Sequence, residues 1–170
     1  MMVFIIGITG VGKSSIGRML AKKLNFGFVD LDAWIEIRSK KRIPELFSEG
    51  ESVFRDWETE SLKALPTTRS LVVATGGGVV TREENVKWMR SNGLVIQLDR
   101  PIDKIVGHIN TKKRPMLKDD PSILYKLYHK RKQSYKRARH VVVNCSNRKK
   151  ALRKLVEEVR RYENSNHKRP

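Results

Sequence analysis

The run Gly7-Ile8-Thr9-Gly10-Val11-Gly12-Lys13-Ser14 has the spacing G-x-x-x-x-G-K-[ST]. Its glycines let successive backbone N–H groups turn toward phosphate oxygens. A lysine at this position can reach β- and γ-phosphates, and a serine hydroxyl after it can bind Mg2+. The pattern has meaning only between a strand and a helix, and the flanking sequence predicts both. Val3-Phe4-Ile5-Ile6 is a short apolar, β-rich run that stops at glycine. Ile16, Met19, Leu20 and Leu24 then recur at helical spacing, with Lys22 and Lys23 off that stripe. A phosphate loop does not by itself separate kinase, ATPase and GTPase. No N-K-x-D-like guanine signature is present, and 170 residues leave little chain for a motor. A small kinase is favoured, which directs attention to an acceptor site.

Asp30 and Asp32 alternate at the end of a predicted strand, at the edge where open α/β sheets bind ligands. The spacing predicts that they point to opposite sides, one toward a metal and the other toward an acceptor alcohol, whose proton a carboxylate can take or orient. An aspartate at a strand-to-helix turn also serves as a helix N-cap, and that reading stays open for Asp32. Arg55 and Glu58 lie three apart on a predicted helix. They suit either a surface ion pair or a guanidinium held in one orientation for a carboxylate. Gly76-Gly77-Gly78 follows a buried run and allows backbone N–H groups close to a ligand. Arg114, in the polar and basic stretch Thr111-Lys112-Lys113-Arg114-Pro115, has the character of a lid cation. Arg131 sits in a run basic enough to be a solvated face.

The elements that must position these groups follow from periodicity. Gly27-Phe28-Val29, Leu71-Val72-Val73-Ala74, Leu94-Val95-Ile96-Gln97-Leu98 and His140-Val141-Val142-Val143 read as further strands. Helices are expected over 34–38, from Ile43-Pro44 onward, over 52–65 with Val53, Trp57, Leu62 and Leu65 as the packing side, and around 86–89. Leu152, Leu155, Val156, Val159 and Tyr162 mark a closing helix, and 164–170 reads as a frayed tail. Alternating short apolar strands and helices predict an α/β protein, a parallel sheet covered on both faces.

Composition narrows the class. One cysteine, Cys145, excludes an internal disulfide framework, and no Cys/His cluster has zinc spacing, which suits a reducing compartment. The apolar run at residues 1–6 is far short of the roughly 20 residues of a membrane span, and no Lys or Arg precedes it as in a signal peptide. We expect a soluble, cytoplasmic, single-domain protein, a monomer without a membrane partner. The 36 Lys+Arg exceed the 18 Asp+Glu, and the excess is uneven, with 15 against 12 in residues 1–100 and 21 against 6 in residues 101–170. Such a half attracts anions. Only Tyr125, Tyr128, Tyr135 and Tyr162 are interleaved there, too few for a base-stacking platform, so a nucleic-acid partner is not expected.

Taken in order, the phosphate loop, Asp30-Leu31-Asp32, Gly50-Glu51 leading to Phe54-Arg55 and Glu58, the triple glycine, Arg114-Pro115, and Arg131 four before Tyr135 resemble the shikimate kinase family, over about residues 3–159. The resemblance implies a nucleoside-monophosphate-kinase-like P-loop fold, three-layered α/β/α around a five-stranded parallel sheet, with a substrate-binding region near 31–60 and a lid near 108–120. It implies transfer of the γ-phosphoryl of ATP to the 3-hydroxyl of shikimate, with Mg2+, in aromatic amino-acid biosynthesis. Carried over by position, Gly10, Val11, Gly12, Lys13, Ser14, Ser15 and Arg114 would contact the nucleotide, with Lys13, Asp32 and Arg114 catalytic. Ser14 and Asp30 would serve the metal, and Asp32, Arg55, Gly76, Gly77, Gly78 and Arg131 the acceptor. Two planar guanidinium forks suit the planar shikimate carboxylate. Three features depart from the family pattern: a segment 47–50 one residue short, no proline between Arg131 and Tyr135, and the basic final third. The residues 144–147 are our expectation for the adenine side. The rival readings are a small P-loop kinase for another alcohol such as gluconate, a nucleic-acid-binding protein on the same fold, and an inactive homologue.

Overall fold

The computed structural model describes residues 1–107 and 122–166. The expected lid and Arg114 lie outside the described residues.

Five strands form one all-parallel sheet: β1 (Met2–Ile6), β2 (Gly27–Asp30), β3 (Leu71–Ala74), β4 (Gly93–Asp99) and β5 (Val141–Asn144), in the spatial order β2-β3-β1-β4-β5. Register is set directly by the apolar runs. Val3 stands opposite Val72 on one side and Leu94 on the other, and Phe4 opposite Val73 and Val95. Alternate residues of each strand enter opposite cores. Val3, Ile5, Val72, Leu94 and Ile96 join one buried cluster, while Met2, Phe4, Ile6, Val73 and Val95 join the other. A strand buried on both faces has no polar alternation, which is why these runs read as continuously hydrophobic.

Between the strands run α1 (Lys13–Leu24), α2 (Leu31–Ser39), α3 (Ile43–Glu49), α4 (Glu51–Lys63), α5 (Glu83–Asn92), α6 (Ile102–Val106), α7 (Ser122–Ala138) and α8 (Arg148–Asn166). Helices α1 and α8 cover the first cluster through Ile16, Leu20, Leu155 and Val159, and α2, α4 and α5 cover the second through Ile35, Leu62 and Met89. Helix α7 belongs to both, with Leu124 in the first and Tyr135 and Ala138 in the second. The expected 31–60 region corresponds to α2, α3 and α4.

Three expectations change. The strand ends at Asp30, so Asp32 lies in the first turn of α2 and the two carboxylates are not alternating strand residues. Asp30 is the N-cap, its Oδ1 accepting from the Asp32 amide at 3.2 Å, because a side-chain acceptor there satisfies an otherwise unpaired helix N–H. Of the expected packing side of 52–65, Leu62 and Leu65 are buried while Val53 and Trp57 are only partly buried against the same core, and α4 also buries Phe54, Arg55, Glu58, Thr59 and Ser61. The tail expected from 164 is helical to Asn166, a continuation of α8.

Candidate active site

Adjacent parallel strands end at the same edge, so the turn after β1 and the turn after β3 are neighbours. The first is the phosphate loop, in which Gly7, Gly10 and Gly12 have φ of 145°, 87° and 106°. L-residues rarely adopt such values, and at Gly7 a β-carbon would also stand 2.7 Å from the Leu98 carbonyl oxygen. Gly12 is the N-cap of α1, which starts at Lys13 and directs its unpaired amides at the loop. Lys13 is buried, and its Nζ donates to the Gly7 and Ile8 carbonyls at 2.7 and 3.0 Å. Val11 is buried, whereas Gly10, Gly12 and Ser14 are partly exposed and Ser15 is exposed.

Ser14 Oγ donates to Asp30 Oδ2 at 2.6 Å. One Asp30 oxygen caps α2 and the other meets the phosphate-loop serine. Among the described residues no group of three or more His, Cys, Asp or Glu could hold a metal. A hydroxyl with one carboxylate is nevertheless the donor set that fits Mg2+, which keeps several waters and shares substrate phosphates.

The second turn gathers the acceptor candidates. A β-carbon on Gly76 would lie 3.0 Å from both Asp32 Oδ1 and Glu58 Oε1. One on Gly77 would lie 2.7 Å from Thr9 Oγ1 and 3.6 Å from Arg131 Nη1, and one on Gly78 only 2.6 Å from Arg55 Cζ. The three glycines are therefore the common neighbour of Asp32, Arg55, Glu58 and Arg131, and Thr9 joins them to the phosphate loop. The departures from the family pattern at 47–50 and between Arg131 and Tyr135 have not displaced either arginine from this loop.

Arg55 and Glu58 are not a surface pair. Arg55 is 7% exposed and Glu58 0%, with Arg55 Nη1 donating to Glu58 Oε2 at 2.7 Å and Nη2 to Glu51 Oε1 at 3.3 Å. Burial pushes the Glu58 carboxyl up from its usual range. Arg55 opposes that through charge and hydrogen bond, Asp32 adds a smaller upward push, and Arg131 a smaller downward one. Glu58 Oε1 is buried with no hydrogen-bond partner among the described residues. Asp32 is exposed and so open to an acceptor.

Two contributors escaped the sequence reading. Thr9 occupies one of the unspecified positions of the phosphate loop, and only the juxtaposition of β1 and β3 reveals it. Tyr135, noted only as a landmark after Arg131, is 1% exposed, and its hydroxyl donates to the Gly77 carbonyl at 2.5 Å. Burial pushes this phenol up to about 12, against a smaller pull from Arg131, so it remains a donor at neutral pH. On the other side of the phosphate loop, Cys145 Sγ meets the Val11 and Asp99 carbonyls at 3.5 and 3.3 Å. Burial pushes its thiol up, which makes it a packing residue, and it brings the 144–147 turn beside the nucleotide loop.

A family model, "Shikimate kinase", matches residues 9–161. A shikimate kinase of Clostridium botulinum (strain Eklund 17B / Type B) is 45% identical over 145 residues, 85% of this chain and 88% of that protein. Among solved structures, shikimate kinase from Acinetobacter baumannii in complex with shikimate superposes with a TM-score of 0.84 at 31% identity, covering 99% of this chain and 95% of the other. One from Bacteroides thetaiotaomicron gives a TM-score of 0.86 at 28% identity, covering 94% and 98%. These matches run over nearly the whole chain: it belongs to the shikimate kinase family and is an ATP-dependent phosphotransferase.

Proposed function

We propose that the protein transfers the γ-phosphoryl group of ATP to the 3-hydroxyl of shikimate. The observation that carries this reading is the cluster around Gly76, Gly77 and Gly78, where an exposed carboxylate and two guanidinium groups meet the phosphate loop. Arg55, oriented by buried Glu58, and Arg131 hold the acceptor carboxylate between two forks, as planar guanidinium groups do. The glycine backbone lines the acceptor ring. Asp32 accepts or orients the hydroxyl proton. Lys13 and the amides at the start of α1 stabilise charge on the phosphates. Residues 10–15 hold the nucleotide, and Arg114 is the further cation we assign to it. Ser14 and Asp30 would hold Mg2+, which when bound offsets phosphate charge. We assign the protein as a monomer. The buried free cysteine supports a reducing, cytoplasmic setting, and no helix among the described residues is long and apolar enough to cross a membrane.

The test is ADP release from MgATP with shikimate, with gluconate and with no acceptor. Release that depends on shikimate alone is expected. Equal release with gluconate would overturn the acceptor assignment, and release without acceptor would make the protein an ATPase.

Gly78→Ala tests the glycine loop. The new methyl would overlap the Arg55 guanidinium, which Glu58 and its own burial prevent from moving freely. Displacing a charge-assisted fork is expected to raise the shikimate KM about tenfold or more, leaving the ATP KM within about twofold. An unchanged shikimate KM would remove Arg55 from the clamp.

A further inference from the structure

The acceptor loop is held from two directions. On one side Gly77 packs against Thr9 of the phosphate loop, and on the other its carbonyl receives the Tyr135 hydroxyl at 2.5 Å. Tyr135 lies one helical turn after Arg131 on α7, so the two side chains share a face. Arg131 Nη1 also stands against Gly77, 3.6 Å from where a β-carbon would be. The phenol thus fixes the Gly77 carbonyl at the point where the Arg131 guanidinium meets the loop. It is 1% exposed, so water cannot substitute for its bond to Gly77 without reopening the core. Phenylalanine could fill the same volume, yet the buried position holds a hydroxyl whose partner is part of the acceptor site.

We propose that Tyr135 is a positioning residue for the acceptor carboxylate, tying the Arg131 fork to the Gly77 backbone so that clamp and loop keep one register. This rests on the reading of Arg131 as a carboxylate clamp. The phenol does not touch the acceptor. It fixes the backbone surface against which the long Arg131 side chain rests, on a helix without a single Asp or Glu. Arg55 is oriented by a direct bond to Glu58, whereas the second fork is placed through a loop held by a neutral phenol.

The experiment measures kcat, both KM values and Tm for Tyr135→Phe, Arg131→Ala and the double variant. Tyr135→Phe is expected to raise the shikimate KM about tenfold, with ATP KM within about twofold, and to lower the preference for shikimate over its methyl ester. In the Arg131→Ala background Tyr135→Phe should raise that KM no further. A lowered Tm with an unchanged shikimate KM would make Tyr135 merely structural and overturn the proposal. An equal rise in the Arg131→Ala background would also overturn it, since the effect would not pass through the clamp. If Arg131→Ala itself leaves the shikimate KM unmoved, the clamp reading fails first, and independently. Should Tyr135→Phe not fold, 4-aminophenylalanine at 135 keeps a weaker donor toward Gly77. An intermediate KM would support the proposal, and a wild-type KM would overturn it.

Discussion

Lys13→Ala is expected to lower kcat by about three orders of magnitude while leaving shikimate binding intact, as read by calorimetric titration in the absence of nucleotide. The size follows from what a single preorganised cation contributes to phosphoryl transfer, about 10^3-fold where water is excluded. Here Lys13 is 8% exposed and its ammonium donates to the Gly7 and Ile8 carbonyls. The variant loses those bonds too, and the two carbonyls lose a charged donor. Some decline in ATP affinity therefore accompanies the loss of kcat. Lys13→Arg should not restore turnover, because a planar fork cannot occupy the site of a compact ammonium between two carbonyls. Turnover within tenfold of wild type in Lys13→Ala would mean that another cation meets the transferred phosphoryl, and would shift the catalytic role toward Arg114.

The phosphate loop could be read from sequence because every part of it is local. Its glycines, lysine and serine are contiguous, and the strand and helix around it announce themselves by period. The acceptor side is different in kind. Arg55 and Glu58 were visible as a pair, but their spacing is equally that of a surface bridge, and hydrophobic periodicity assigned the inward side of the 52–65 helix to Val53, Trp57, Leu62 and Leu65. Leu62 and Leu65 are buried, but so are the polar Arg55, Glu58, Thr59 and Ser61, while Val53 and Trp57 are only partly so. A helix that buries a site inverts the assumption on which amphipathic reading rests. Arg131 was one cation among many in a basic run, and only its resemblance to a family motif singled it out. What distinguishes it physically is its place against Gly77. The Tyr135–Gly77 bond closes a separation of 58 residues that no local pattern encodes.

Asp30 and Asp32 show how a local motif can be read correctly in content and wrongly in geometry. Both are at the carboxyl edge, and one meets the phosphate-loop serine while the other meets the glycine loop. Their separation does not come from strand alternation. It comes from a helix starting between them, with Asp30 as the cap and Asp32 in the first turn. The divergence of the two carboxylates is therefore enforced by α2. One Asp30 oxygen is committed to the helix, which orients the other toward Ser14.

Asp32→Asn should lower kcat about 10^2- to 10^3-fold, in the range a positioned general base contributes, with the ATP KM within about twofold. Asparagine keeps the size of the side chain and can still accept a hydrogen bond from an alcohol, but it cannot take the proton. Asp32→Ala removes both abilities. If Asp32 acts as a base, the two variants lose kcat equally, since both lack the proton acceptor. If it only orients the hydroxyl, asparagine retains most of the activity that alanine loses. The loose transition state of phosphoryl transfer makes the comparison informative, because little bond formation to the acceptor oxygen leaves its proton weakly acidic until late. Neutralising Asp32 also removes an upward push on the Glu58 carboxyl, so the Glu58–Arg55 pair is strengthened rather than broken and shikimate KM should not rise from that source. A fall in kcat with unchanged KM values would place Asp32 in the chemical step. Near-full activity in Asp32→Asn would reduce it to an orienting group, and in Asp32→Ala would remove it from the reaction.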